Sequence, residues 1–164
     1  MANEEHFISH KKITAELFKP FGDLLQLKDA ADMLINQDMC ERHHNLTDID
    51  FEDGSKAGIS LFKAKPRSLP YKLEMMERHP KGSQAFIPMY EQPFLVIVAE
   101  DNGGAPVTPI ALLTQMHMGI NFHKNTWHGV LTPLKAPGIF AVIDRIASDK
   151  NLEEYWFDTP YIIY

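Results

Sequence analysis

Proline and glycine interrupt this chain so often that no long helix fits anywhere in it. Eleven prolines and nine glycines divide 164 residues, and a proline inside a helix removes a hydrogen bond and clashes with the preceding turn. Short apolar runs lie between the breaks. Gly58-Ile59-Ser60-Leu61-Phe62-Lys63-Ala64 alternates as a half-buried strand does, and Pro66 closes it. Residues 71–79, 84–88, 94–99, 110–113, 119–123 and 139–143 are predicted strands at similar spacing. Asp101-Asn102-Gly103-Gly104 is turn chemistry, because Asn and Gly accept positive φ. One short helix is predicted over residues 15–18, capped by Thr14 and stopped by Pro20. After the Gly22-Asp23 turn, residues 24–27 read as a first strand. Residues 1–10 read as a loosely ordered start. Two segments stay open: 30–39 fits helix or strand, and 152–157 is a last strand or a helix end. Many short strands with regular turns predict a single, mainly β domain over residues 1–164, a sandwich or closed jelly-roll barrel with a few short helices.

Charge narrows the partners. The formal net charge is −6, and Lys11-Lys12 with scattered later cations forms no basic run, so neither nucleic acid nor an anionic membrane is expected as a partner. A single cysteine, Cys40, excludes an intrachain disulfide framework and suits a reducing compartment; it is expected to be a small buried hydrophobe. The first dozen residues mix Asn, Glu, His and Lys, unlike a signal peptide, and the longest apolar run, 94–99, is far too short to span a bilayer. A cytoplasmic protein is the expectation.

The chemistry-bearing residues gather in two strings. In the first, Glu77-Arg78-His79-Pro80-Lys81-Gly82-Ser83-Gln84, a strand would turn Glu77 and His79 to one face, Gly82 allows a bend, and Gln84 opens the next run. The second is Asn121-Phe122-His123-Lys124-Asn125-Thr126-Trp127-His128, where His128 follows a turn at Asn125, a residue that tolerates the left-handed conformation. Mixed N and O donors suit a divalent metal, with Gln84 a weak neutral ligand. On spacing alone the plainer reading carries more weight: surface charges and hydrogen-bonded core histidines, since motifs this loose are common. His43 and His44 are adjacent, would face opposite ways on a strand, and read as surface or loop residues. Arg42, Lys63, Arg67, Arg78 and Lys124 supply candidate carboxylate clamps.

Taken together, these strings resemble the ureidoglycolate lyase family, a branch of the cupin barrels. The resemblance runs in order through Phe21-Gly22-Asp23, Glu41-Arg42-His43-His44-Asn45-Leu46 and Ala64-x-Pro66-Arg67-x-Leu69-Pro70. It is densest from Glu77 to Pro88, continues from Gly119 to His128 and ends at Ile143-Asp144-Arg145. Glu77, His79 and Gln84 fall where the general cupin pattern has its first His, second His and carboxylate, and His123, Asn125 and His128 fall on the second motif. The resemblance implies a double-stranded β-helix barrel that cleaves ureidoglycolate to glyoxylate and urea in allantoin and purine nitrogen breakdown. It also implies a divalent metal, nickel being the one named for the family, and a homodimer.

In that reading Glu77, His79 and His128 hold the metal, with Gln84 a weaker ligand or a ureido hydrogen-bond partner. His123 or Glu77 acts as general base, and Arg42, Lys124 and Arg78 are candidates to bind the substrate carboxylate. Arg78 ranks last, because alternation turns it away from the face of Glu77 and His79. A metal-free variant with His79 and His128 as acid and base stays open. So do another metal cupin and a non-catalytic or differently specific cupin that binds a small carboxylic acid. Lys63 and Lys124 stand where the family favours Arg, and Phe122 where it favours Tyr.

Overall fold

A computed structural model describes residues 6–164. In chain order the elements are β1 (His6–Ile8), β2 (Lys11–Lys12), α1 (Ala15–Phe18), β3 (Gly22–Leu25), β4 (Met33–Ile35) and β5 (Cys40–Arg42). There follow β6 (Lys56–Lys63), β7 (Tyr71–Arg78), β8 (Gln84–Pro88), β9 (Phe94–Ala99), β10 (Asp101–Asn102) and β11 (Ala105–Pro106). The last are β12 (Ile110–Leu113), β13 (Gly119–Phe122), β14 (Trp127–His128), β15 (Thr132–Pro133), β16 (Ile139–Ile146) and β17 (Glu153–Ile163). The helix forms where its cap predicts it, with the Thr14 hydroxyl accepting from the Leu17 amide at 3.2 Å. No helix among the described residues is long and apolar enough to cross a membrane.

Two curled sheets carry the fold. One runs β1-β17-β7-β14-β9-β12-β2, with β15 also on β9; the other runs β3-β13-β8-β16-β6. Together they make the cupin-type β architecture expected from the sequence. β9 explains why its sequence is apolar without a break: both its faces are covered. Phe94, Val96 and Val98 join Phe86, Ile120, Phe122, Phe140 and Val142 between the two sheets. Leu95, Ile97 and Ala99 turn the other way, to Leu73, Met76 and Trp127. Phe140 stitches the layers, its ring edge-on to Phe94 at 5.0 Å and to Phe86 at 6.4 Å.

Four segments differ from, or settle, what the sequence predicts. Gly22-Asp23 is not a turn but the start of β3, which runs over 22–25 instead of 24–27 because both residues pair with β13. Residues 6–8 of the loosely ordered start are a strand, pairing in parallel with Tyr161–Ile163 at the other end of the chain; residues 1–5 lie outside the described residues. Residues 30–39 become one arm and the turn of a two-stranded hairpin, β4 with β5, held outside both main sheets. Cys40, on that hairpin, is exposed rather than buried, because the hairpin stands apart from both main sheets. The open assignment at 152–157 resolves as strand, and β17 runs on along β7 past a register shift between Trp156 and Tyr161. Pro160, which has no amide to donate, lies in that irregular stretch.

Candidate metal centre

Antiparallel pairing brings the two sequence strings together. His128 on β14 sits directly opposite Glu77 on β7, so both side chains leave the same face of the sheet. His79 follows one residue after the end of β7 and returns to that face. Gln84 comes from the other sheet, where it and Phe86 point inward from β8. The connection between His79 and Gln84 is tight: a Cβ on Gly82 would lie 2.9 Å from both the Arg145 Cβ and the Phe51 ring. Gly82 is therefore fixed by close approach more than by the bend alone. The turn before His128 has Asn125 at φ 68°, the left-handed conformation read from the sequence.

One ligand atom from each of Glu77, His79 and His128 lies within 4.8 Å of the others, close to the ~4 Å that two ligand bonds of about 2 Å can span. The hydrogen bonds on the far side of each ring fix the tautomers. His79 Nδ1 donates to the Asn151 carbonyl at 2.7 Å, and His128 Nδ1 to the Gly129 carbonyl at 3.0 Å. A carbonyl only accepts, so both protons sit on Nδ1 and both Nε2 atoms present a lone pair. Those Nε2 atoms, with Gln84 Oε1, are buried and have no hydrogen-bond partner among the described residues. Buried polar atoms left unpaired are costly, and two imidazoles oriented from behind beside a carboxylate are the donor set a divalent ion takes. The residues fit a metal.

Electrostatics agree with that assignment. Burial pushes the His128 pKa down to about 3, with His79 adding to the effect. Burial also raises the Glu77 pKa, opposed by His79 and reinforced by Glu154. Phe122 stacks flat on His128, centroids 4.3 Å apart and planes within 7°. These groups line one end of a cavity of about 510 Å³ whose remaining wall is largely apolar, including Phe62, Phe94, Val96 and Ile97.

The other sequence candidates lie elsewhere. His123 is the residue after Phe122 and points to the opposite face of its sheet, where its Nε2 meets Asp23 at 3.0 Å; it does not line the cavity. Arg78 turns away from Glu77, as alternation requires, to pair with Asp101 and Glu153 with its guanidinium 4.4 Å above the Trp127 ring. Lys124 pairs with Asp50, and Arg42 is exposed on β5. None of these three cations lines the cavity, whereas Lys63 does. The resemblance marks Lys63 as standing where the family favours Arg, but nothing in the local pattern places it at the cavity. Asn151, which orients His79, carries no local signal at all.

Comparison with known proteins gives a consistent result. A family model described as ureidoglycolate lyase matches residues 5–164. A protein of Rhodobacter capsulatus named ureidoglycolate lyase is 51% identical over 92% of this chain and 94% of its own length. One from Rhizobium meliloti, named ureidoglycolate lyase 2, is 48% identical over 88% of this chain and 89% of its own. One from Agrobacterium fabrum, also named ureidoglycolate lyase, is 42% identical over 96% and 95%.

Proposed function

Because the chain belongs to the ureidoglycolate lyase family, we infer that it is an enzyme splitting ureidoglycolate into glyoxylate and urea. The observation that carries the site assignment is the pair of buried, unpartnered Nε2 atoms beside the Glu77 carboxylate. The reaction breaks the bond between the carbinol carbon and the ureido nitrogen. The carbinol hydroxyl loses its proton as the carbonyl of glyoxylate forms, and the nitrogen gains a proton as urea leaves. His79, His128 and Glu77 would hold a divalent metal, nickel in this proposal, with Gln84 as a weaker fourth donor. Such an ion supplies Lewis acidity toward a substrate oxygen.

The remaining work falls to side chains of the cavity. Glu77 is proposed to take the hydroxyl proton and pass it to the leaving nitrogen. Lys63 is proposed to bind the substrate carboxylate, since it is the cation that lines the cavity among the described residues. His123 is left outside the chemistry, on the strength of its outward position against Asp23. Phe122 and the apolar wall exclude water and hold the plane of His128. The proposal further takes the enzyme to be a cytoplasmic homodimer acting in allantoin and purine nitrogen breakdown. Ile59 and Leu61, exposed by 78% and 69% on β6, offer a surface for a second copy.

Purified protein is incubated with racemic ureidoglycolate, with and without nickel, and glyoxylate is followed. Release faster than the spontaneous breakdown is expected; no acceleration under either condition overturns the lyase reading. A second reading, a cupin tuned to another small hydroxy acid, draws on Lys63 and Phe122. Both are among the residues that line the cavity, Lys63 from the exposed end of β6, and both depart from the residues the family favours. A higher kcat/KM on such an acid than on ureidoglycolate would establish it.

A further inference from the structure

Gln84 separates two cavities. It and His79 line the main cavity and also a smaller polar one of about 190 Å³, together with Ser83, Asp144, Arg145 and Asn151. On the small-cavity side Gln84 Nε2 donates to Asp144 Oδ2 at 3.3 Å, toward the long end of a hydrogen bond. Asp144 has no other side-chain hydrogen bond among the described residues, and its Oδ1 is buried without a partner. Its neighbour Arg145 does not neutralise it, being committed to Ser55 at 2.7 Å and Asp149 at 2.8 Å. A half-buried carboxylate with one oxygen shut off from any partner and the other held by one long bond costs stability, so its presence calls for another explanation.

An amide has nearly the same shape with its oxygen and nitrogen exchanged, so packing alone does not choose between the two orientations. An ionised carboxylate chooses, because it only accepts. With Asp144 behind it, Gln84 must turn its NH₂ to the small cavity and leave Oε1 for the side shared with Glu77, His79 and His128. Reversed, the amide would present N–H donors to a site built from lone pairs.

We propose that Asp144 is a positioning residue that acts through Gln84, fixing the amide so that its oxygen completes the Glu77–His79–His128 donor set. This rests on the metal reading above and deepens it. Sequence comparison of the two motifs leaves Gln84 as a poor substitute for a carboxylate; Asp144 is what makes the neutral ligand usable.

The test is Asp144→Asn, which keeps the shape and lets the facing amide turn. Nickel affinity by calorimetry is expected to fall on the order of tenfold, the usual cost of losing an outer partner of a ligand. In a Gln84→Ala background the same substitution is expected to cause no further loss. In the metal-free protein, the Gln84 side-chain amide signals in a ¹⁵N–¹H spectrum are expected to move. Unchanged affinity, an equal loss in the Gln84→Ala background, or unmoved amide signals would each overturn the proposal. Should wild-type protein take up no nickel, the metal reading fails, and the amide signals by themselves decide whether Asp144 sets the orientation of Gln84. Asp144→Ala, read on the same measurements with the same expected losses, replaces Asn if that variant does not fold.

Discussion

His128 is 2% exposed, and burial holds its pKa near 3, so it is a neutral imidazole throughout any ordinary working range. That is the protonation state a ligand needs, and the Gly129 carbonyl fixes which nitrogen is free. His128→Ala is therefore expected to lower nickel affinity and kcat/KM by ~100-fold or more, read by calorimetry and glyoxylate release. Full retained activity would remove His128 from the site. Asp149 gives the opposite kind of shift. Hydrogen bonds from Lys81 and then Arg145 hold its pKa at about 2, below the ordinary 3.8. A depressed carboxylate pKa contributes stability above the unfolded value and loses it as pH falls toward the folded one. Urea unfolding of the wild type should thus weaken between about pH 4 and pH 2, and Asp149→Asn should flatten that slope. An identical slope in the variant would show that the Lys81–Arg145 pairing adds nothing.

Strands decide which side chains meet. Along 119–123 the period of two puts Ile120 and Phe122 into the core and Asn121 and His123 on the far face. The motif match that draws attention to His123 carries no information about that parity, whereas alternation separates Arg78 from Glu77 correctly. The pairing of β3 with β13 is just as demanding. Gly22 lies opposite Phe122, and a Cβ there would sit 2.1 Å from the Asn121 carbonyl oxygen. Gly22→Ala is expected to cost ~3 kcal/mol or more, because backbone must move to admit it. Thermal unfolding measures this; a melting temperature within a degree of wild type would mean that β3 yields freely.

For the whole molecule, the metal is expected to act as a cross-link between sheets, with Glu77, His79 and His128 from one and Gln84 from the other. A ligand bound only by the folded state at a hundred times its Kd adds about 2.7 kcal/mol. In a chain of this size that raises the melting temperature by roughly 5–10 °C. Calorimetric scans with nickel and with a chelator should differ by that amount, and the difference should vanish in His128→Ala. No difference for the wild type would argue for the metal-free acid–base alternative.

The sequence by itself determined the element type of most of the main strands, because proline, glycine and period-two apolar runs act locally. The strands 84–88, 94–99 and 110–113, the Thr14-capped helix and the left-handed turn at Asn125 all follow from neighbours within a few residues. The pairing of Glu77 with His79 was legible for the same reason. Only the tertiary structure decided what lies opposite what. It set His128 across from Glu77, brought Lys63 to the cavity in place of Arg42, Arg78 and Lys124, left Cys40 exposed on a hairpin outside both main sheets, and placed Asp144 behind Gln84. Those relations join residues far apart in the chain, and they depend on strand register and sheet packing, which no local pattern encodes.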